Sequence, residues 1–261
     1  MKRIKAVFFD IDGTLVSFRT HCVPPSTVKA LDALRANGIK VFVATGRMLP
    51  MINVLDGIPF DGYITCNGAY CVNTKRELFY ACPIPEQDLQ ALAFHLEKDP
   101  FPVAYMSDDE ITINYVDSTV TSMAQHINVP PPRVLEPLAA AQKNIYQLCA
   151  YVDDDKVRHL VRNVLVHCAS NRWTPVFADI NVRGINKQTG IDKLLAYENI
   201  GLNETMAFGD GGNDIPMLKH VTIGVGMGNA SEEVKACADY VTDSVDDDGI
   251  YNALKHFGLL D

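Results

Sequence analysis

The stretch AVFFDIDGTLV, residues 6–16, decides how this chain is read. Four apolar residues, Ala6-Val7-Phe8-Phe9, run without interruption into Asp10, Ile11, Asp12 and Gly13. A short run that is apolar on both faces, and rich in β-branched and aromatic side chains, has the character of a strand buried inside a parallel sheet. Asp10 then falls at the carboxyl end of that strand and Gly13 opens a turn. Open α/β sheets bind their ligands at this edge. If the strand continues through Asp12, positions i and i+2 share a face, and both carboxylates aim at one small target. Two bare carboxylates so close repel, and a bound cation or a shared proton relieves them. Asp and Gly are also ordinary turn residues, so the stretch alone leaves a solvated turn open.

The same pattern recurs outward from it. Residues 39–47 (IKVFVATGR), 61–69 (DGYITCNGA), 204–214 (ETMAFGDGGND), 221–230 (VTIGVGMGNA) and 238–243 (ADYVTD) each read as an apolar strand running into polar or glycine residues. Helical periodicity fits 26–37, 190–199, 231–237 and 249–257. Alternation of this kind predicts an α/β fold with a doubly wound parallel sheet. The middle of the chain reads differently. It predicts helices over 86–98, 118–127 and 154–167, and paired strands over 102–107 and 110–115. A strand is expected over 144–152 and two more within 173–183, with a break at VPPPR, 129–133. An inserted α+β domain is therefore expected at 83–183, within a discontinuous first domain of 1–82 and 184–261. The insert shows two loosely similar helix–strand–strand halves.

Composition narrows the function. A net charge of −9 argues against sequence-independent nucleic-acid binding, which needs a basic face. An anionic substrate would need local help from a metal or a few placed cations. A chain of 261 residues, 48% hydrophobic and 21% charged, can bury a sizeable core. The seven cysteines include no CxxC pair and mostly sit in apolar surroundings, which fits reduced thiols in the cytoplasm. The N-terminal apolar run stops at Asp10, too soon for a signal peptide. No run approaches the roughly 20 residues of a membrane span.

In a parallel sheet the polar strand ends share one edge. Asp10 and Asp12 come from the first strand, Thr45 and Gly46 from the second, and Asp210, with Asn213 and Asp214, from a later one. Lys187 begins a helix expected to run beneath the same edge. Carboxylates, a hydroxyl, a lysine and amide-rich turns suit a phosphate together with a divalent cation. Mg²⁺ prefers such hard oxygen ligands. The backbone N–H groups of Ile11 and Gly46 are placed to cradle phosphate oxygens.

The ordered set FFDIDGTL, VATGR, the isolated Lys187 and GDGGNDIPML, with TCNGA and DDDGI, resembles the haloacid dehalogenase superfamily over essentially the whole chain. It is most similar to the Cof-type sugar-phosphate phosphatases, whose large α+β cap (type C2) follows the third strand. Only 33 positions separate Asp12 from Thr45, too few for a cap there. The resemblance implies a Mg²⁺-dependent phosphatase acting on small phosphorylated metabolites. It implies Asp10 as the nucleophile that forms an aspartyl-phosphate and Asp12 as the general acid/base, which dehalogenating members lack. It implies Thr45 and Lys187 as holders of the transferring phosphoryl. Asp10, the backbone carbonyl of Asp12, and Asp210 match the Mg²⁺ ligands. Asp214 and Asn213 match supporting or phosphate-contacting positions, and Asn67 and Gly68 approach phosphate or substrate. A phosphomannomutase-type phosphomutase and a non-catalytic phosphate or metal sensor are the alternatives. Arg47 is read as structural or solvated, and Asp246-Asp247-Asp248 as a solvated turn or helix cap. Tyr105 and Trp173 are read as core of the insert, and the seven histidines as ordinary residues without metal-ligand spacing.

Overall fold

Ala6–Phe9 forms strand β1, with every residue buried, in a computed structural model that describes residues 4–126, 129–172 and 174–260. Along the chain follow α1 (Pro25–Ala36), β2 (Lys40–Ala44), β3 (Gly62–Thr65), β4 (Tyr70–Asn73) and β5 (Leu78–Ala81). Next come α2 (Glu86–Lys98), β6 (Val103–Met106), β7 (Ile111–Ile113), α3 (Ser118–His126), β8 (Arg133–Val134) and α4 (Pro137–Ala140). Then come β9 (Gln147–Ala150), α5 (Asp154–Asn163), β10 (Cys168–Asn171) and β11 (Ala178–Val182). The chain closes with α6 (Lys187–Glu198), β12 (Thr205–Gly209), α7 (Ile215–His220), β13 (Ile223–Gly226), α8 (Glu232–Lys235), β14 (Tyr240–Val241) and α9 (Gly249–His256). Two units result: Met1–Arg47, Met51–Tyr80 and Asn186–Asp261 form one, and Met48–Pro50 with Ala81–Ile185 the other.

The first unit is a doubly wound α/β sheet in the order β14-β13-β12-β1-β2-β3-β4-β5. β1 pairs in parallel with both β2 and β12. The chain winds from β1 toward β3 on one side and later from β12 toward β14 on the other. The crevice of a doubly wound sheet opens where the winding reverses, which here is the carboxyl end of β1. Ring stacking reinforces the centre, with Phe8 on Phe42 at 5.2 Å and Phe9 on Phe208 at 5.1 Å. One face packs Phe8, Phe42 and Ile64 against Ile191, Leu194 and Leu195 of α6. Gly190 permits this approach, since a Cβ there would lie 2.3 Å from the Ile64 side chain.

The second unit is α+β, with sheet order β10-β11-β9-β6-β7-β8. Its pairs are antiparallel except β7 with β8. Leu89, Leu92 and Leu96 of α2 and Val157 and Leu160 of α5 pack on Val103, Tyr105, Leu148 and Ile180 of the sheet. Tyr105 therefore lies in the core, while Trp173 lies outside the described residues. A fully buried Leu or Phe adds roughly 1.5–3 kcal/mol through removal of apolar surface from water, so this cluster is the main support of the unit.

Several elements depart from the sequence expectation. β1 stops at Phe9, so Asp12 lies beyond the strand, in an isolated bridge to Val16, rather than on a strand face shared with Asp10. The strand expected over 61–69 ends at Thr65, and Cys66–Gly68 forms a 3₁₀ turn with Cys66 and Asn67 at positive φ. β4 then doubles back antiparallel to β3, extending the sheet with strands that carry no motif of their own. Within 173–183 there is one strand, β11, and its partner β10 lies earlier, just after the helix expected over 154–167, where no element was expected. β10 exposes Ala169 and Ser170, so its sequence lacks the apolar signal of a buried strand. α5 ends at Asn163; α6 begins at Lys187, as expected of that residue and three residues before the periodicity fitted to 190–199, because the Asn186 side chain caps it by accepting from Thr189 N–H at 3.1 Å. The helix expected over 118–127 is described through His126. Among the described residues no helix is long and apolar enough to cross a membrane.

Candidate active site

Asp10 follows β1 directly, and its N–H continues the parallel ladder to Phe208 O at 3.1 Å. Its carboxylate is almost fully buried and accepts from Lys187 Nζ at 2.5 Å. Lys187 is the first residue of α6 and is wholly buried. Its ammonium also donates to Asp214 Oδ1 at 2.5 Å. Burial alone would neutralise such a lysine, but the two facing carboxylates hold its pKa above the ordinary value. The second oxygen of Asp214 accepts from the N–H groups of Asp210 and Gly211 at 3.0 and 2.9 Å. Asp214 is thereby occupied at both oxygens, fixing the lysine on one side and the turn after β12 on the other.

Asp210 follows β12 directly, as Asp10 follows the neighbouring β1. Thr14 Oγ1 donates to its Oδ1 at 2.9 Å, and Asn229 Nδ2 reaches Oδ2 at 3.4 Å and Gly13 O at 2.8 Å. Gly13 has φ of +86°, and a Cβ there would lie 2.2 Å from Asp210 Oδ2, so the turn closes only with glycine. Oxygens of Asp10, Asp210 and Asp214 come within 4.8 Å of one another. Burial, opposed by Lys187 and reinforced by Asp214 and Asp12, pushes the Asp10 carboxyl up to about 7. Burial, then repulsion from Asp10 and Asp214, pushes Asp210 up to about 8. These carboxylates are held together against their own repulsion, in an all-oxygen donor set of the kind Mg²⁺ takes.

Asp12 stands apart from that cluster. Arg47 Nε and Nη2 donate to its two oxygens, each at 2.8 Å, and Arg47 Nη1 donates to Met51 O at 2.8 Å. The expectation that Arg47 is merely structural or solvated is therefore incomplete, since its guanidinium is forked onto a candidate catalytic carboxylate. Burial opposes the charge on Arg47, and its bonds to Asp12 more than restore it.

Thr45 is buried at the end of β2, and its Oγ1 accepts from Arg47 N–H at 3.1 Å. It caps this tight turn rather than a helix. A hydroxyl that accepts there still has its own O–H to donate. Asn67 N–H donates to Thr45 O at 3.0 Å, and Asn67 Oδ1 accepts from Asn213 Nδ2 at 3.0 Å. A Cβ on Gly46 would press on the Asn67 amide at 3.2 Å, and one on Gly68 would strike Asn186 O at 2.1 Å. Thr45, Gly46, Asn67, Gly68 and Asn213 thus form one linked set of turns. Ile11 has a fully buried side chain and offers only its backbone to the site. Asp246, Asp247 and Asp248 are exposed, in a 3₁₀ turn with Asp248 at the N-cap position of α9, as expected, and Asp246 and Asp248 also accept from Ser17 at 2.8 Å and Ser26 at 2.5 Å.

In the sequence Thr14 and Asn229 carry no assigned role, and Arg47 carries only a structural or solvated one. The signal for Asn229 was available as a short polar residue after the glycines of β13, at the same sheet edge. For Arg47 there was none, because its role depends on a pairing across 35 positions.

A family model described as haloacid dehalogenase-like hydrolase matches residues 7–254. Among solved structures, the chain is similar to the HAD subclass IIB sugar phosphatase BT4131, with 42% identity, a TM-score of 0.92, and coverage of 98% of this chain and 100% of that one. It is similar to the phosphatase BT1666 of Bacteroides thetaiotaomicron at 41% identity and a TM-score of 0.91, covering 99% and 96% of the two chains. YkrA of Bacillus subtilis (strain 168), provisionally named a phosphatase, is 32% identical over 98% of each chain. With the site geometry these findings place the chain plainly: it belongs to the haloacid dehalogenase-like hydrolases, in their Cof-type branch, and is a phosphatase of that family.

Proposed function

We propose that this enzyme is a Mg²⁺-dependent phosphatase of small phosphorylated metabolites, sugar phosphates foremost, working through an aspartyl-phosphate on Asp10. The observation that carries the reading is Lys187, wholly buried and bonded at 2.5 Å to both Asp10 and Asp214, beside Asp210. A buried lysine among carboxylates is a site prepared for an anion that arrives with its own counter-cation.

Asp10, Asp210 and the Asp12 backbone carbonyl are assigned to Mg²⁺, with Asp214 in support because its oxygens are already engaged. Bound there, Mg²⁺ supplies charge neutralisation between the nucleophile and the phosphate dianion. Asp10 Oδ attacks phosphorus, the phosphorus–oxygen bond to the leaving alcohol breaks, and Asp12 gives that alcohol its proton. Water then attacks the aspartyl-phosphate, Asp12 takes the water's proton, and the Asp10–phosphorus bond breaks to release inorganic phosphate. Lys187 and Thr45 hold the phosphoryl oxygens as charge spreads over them. The N–H groups of Ile11 and Gly46, with Asn67, Gly68 and Asn213, complete the cradle.

Substrate choice is assigned to the inserted unit, residues 83–183 in the sequence reading. Its sheet face opposite Leu148 and Ile180 buries Gln147, Cys149, Asp179 and Asn181, which bond to one another and to Tyr146 O, so these side chains stiffen the unit. The likeness to a sugar phosphatase at 42% identity supports sugar phosphates as the substrate class. The seven free thiols fit a cytoplasmic enzyme.

The test is phosphate release from a panel of phosphorylated metabolites, in EDTA and after Mg²⁺ is restored. Mg²⁺-dependent release, ranked by kcat/KM with hexose phosphates at the top, is expected. An isomer formed without free phosphate would instead mark a phosphomutase, and binding without turnover a sensor.

A further inference from the structure

We infer that Arg47 is a positioning residue for Asp12, its guanidinium forked onto both carboxylate oxygens so that the acid/base is held in one orientation. The inference rests on the reading of Asp12 as the acid/base. Asp12 needs such a holder because it lies beyond the end of β1, its backbone held only by an isolated bridge to Val16, with its side chain 30% exposed. No strand ladder fixes its side chain there. Among the described residues, Arg47 supplies both hydrogen bonds to that carboxylate, at 2.8 Å each.

Arg47 is itself fixed at three points. Its third nitrogen, Nη1, donates to Met51 O at 2.8 Å. Its N–H donates to Thr45 Oγ1 at 3.1 Å, and its carbonyl accepts from Cys66 N–H at 2.9 Å. The guanidinium is thus tied to the turn that carries Thr45 and, through the backbone, to the turn that carries Asn67. A planar fork sets the plane of a carboxylate as well as its position, which a lysine ammonium cannot do. Proton transfer depends steeply on that placement. The division of labour between the two cations is then clear. Lys187 serves Asp10, and Arg47 serves Asp12.

The test measures single-turnover phosphoenzyme formation in Mg²⁺ with two substrates of nearly the same shape, phenyl phosphate and p-nitrophenyl phosphate. Phenolate needs a proton to depart and p-nitrophenolate does not. Arg47→Ala should slow the phenyl substrate by about 10–100-fold and the p-nitrophenyl substrate by less than about threefold, since a misplaced acid costs only where a proton is needed. Arg47→Lys keeps the charge and loses the fork. It should show the same selectivity with a smaller loss, and it carries the test if the alanine variant does not fold. Asp12→Asn is the control, with a larger loss of the same selectivity. The double variant Arg47→Ala/Asp12→Asn should be no slower than Asp12→Asn alone, because the two residues act as one unit. Equal losses on both substrates, or a full additive loss in the double variant, overturn the inference and make Arg47 a substrate-binding or purely structural group. If Asp12→Asn itself slows both substrates equally, the assignment of Asp12 fails instead.

Discussion

Removing the metal should make stability fall as pH rises from about 5 to 7, the reverse of the usual trend for a carboxylate-rich protein. Asp10 and Asp210 reach about 7 and about 8, against an ordinary 3.8. A carboxyl whose folded value lies above its unfolded value binds its proton more tightly when folded. It therefore supports folding below its unfolded value and withdraws that support as pH climbs through its folded value. Across this window the folded, metal-free protein keeps at least one proton that the unfolded chain has released. Each such proton contributes about 1.4 kcal/mol per pH unit, or about 3 kcal/mol over two units. For a unit of this size that is a fall in Tm of roughly 6–12 °C. Mg²⁺ takes the place of the proton, so the rise in Tm on adding Mg²⁺ should be small near pH 5 and full near pH 8. His95, held below its ordinary value chiefly by burial, contributes with the opposite sign. Its contribution is common to both conditions and cancels in the difference. Thermal denaturation in EDTA and in excess Mg²⁺ across this range measures the effect. A Mg²⁺ increment that is equal at both ends, or larger at low pH, would refute the carboxylate repulsion on which the metal assignment stands.

Gly13→Ala forces a side chain into positive φ and 2.2 Å from Asp210 Oδ2. It should cost about 1–2 kcal/mol in stability and weaken Mg²⁺ binding, read by denaturation and by metal titration of the Tm shift. Lys187→Met keeps the shape of the buried stem but strands Asp10 and Asp214. Turnover should vanish and stability should fall by about 3–5 kcal/mol, with the fall reduced in acid, where the carboxylates protonate; calorimetry at two pH values checks this.

The parts of the fold that were legible are those where one physical demand dominates. β1, β2 and β12 sit inside the sheet, so their runs are apolar on both faces and end abruptly in polar residues. Asp10, Thr45 and Asp210 follow directly from those ends. β4 and β10 were not legible because each answers to its partner strand rather than to a core on both faces. α7 was missed because it is six residues long and opens with a proline in its first turn. The close pairing of Asp10 with Asp12 was expected from a strand that stops too early. Two residues past the strand end are enough to send the second carboxylate to Arg47 instead.

The two-carboxylate stretch thus carries two electrostatic environments rather than one. Asp10 is buried, crowded by Asp210 and Asp214, and balanced by a lysine that no solvent reaches. Asp12 is partly exposed and faces a guanidinium that is more weakly hydrated than an ammonium and presents a rigid fork. Those surroundings suit different tasks. A nucleophile must be ready to lose its repulsion when cation and phosphate arrive together, and Asp10 is held in that condition. An acid/base must keep a fixed direction while its proton comes and goes, which calls for a partner that orients it without burying it. The separation begins where β1 ends at Phe9, before Asp12 is reached, and Arg47 then takes both oxygens of Asp12. Gly13 serves the metal-facing Asp210 instead, because only a residue without a Cβ lets the following turn close directly over that carboxylate.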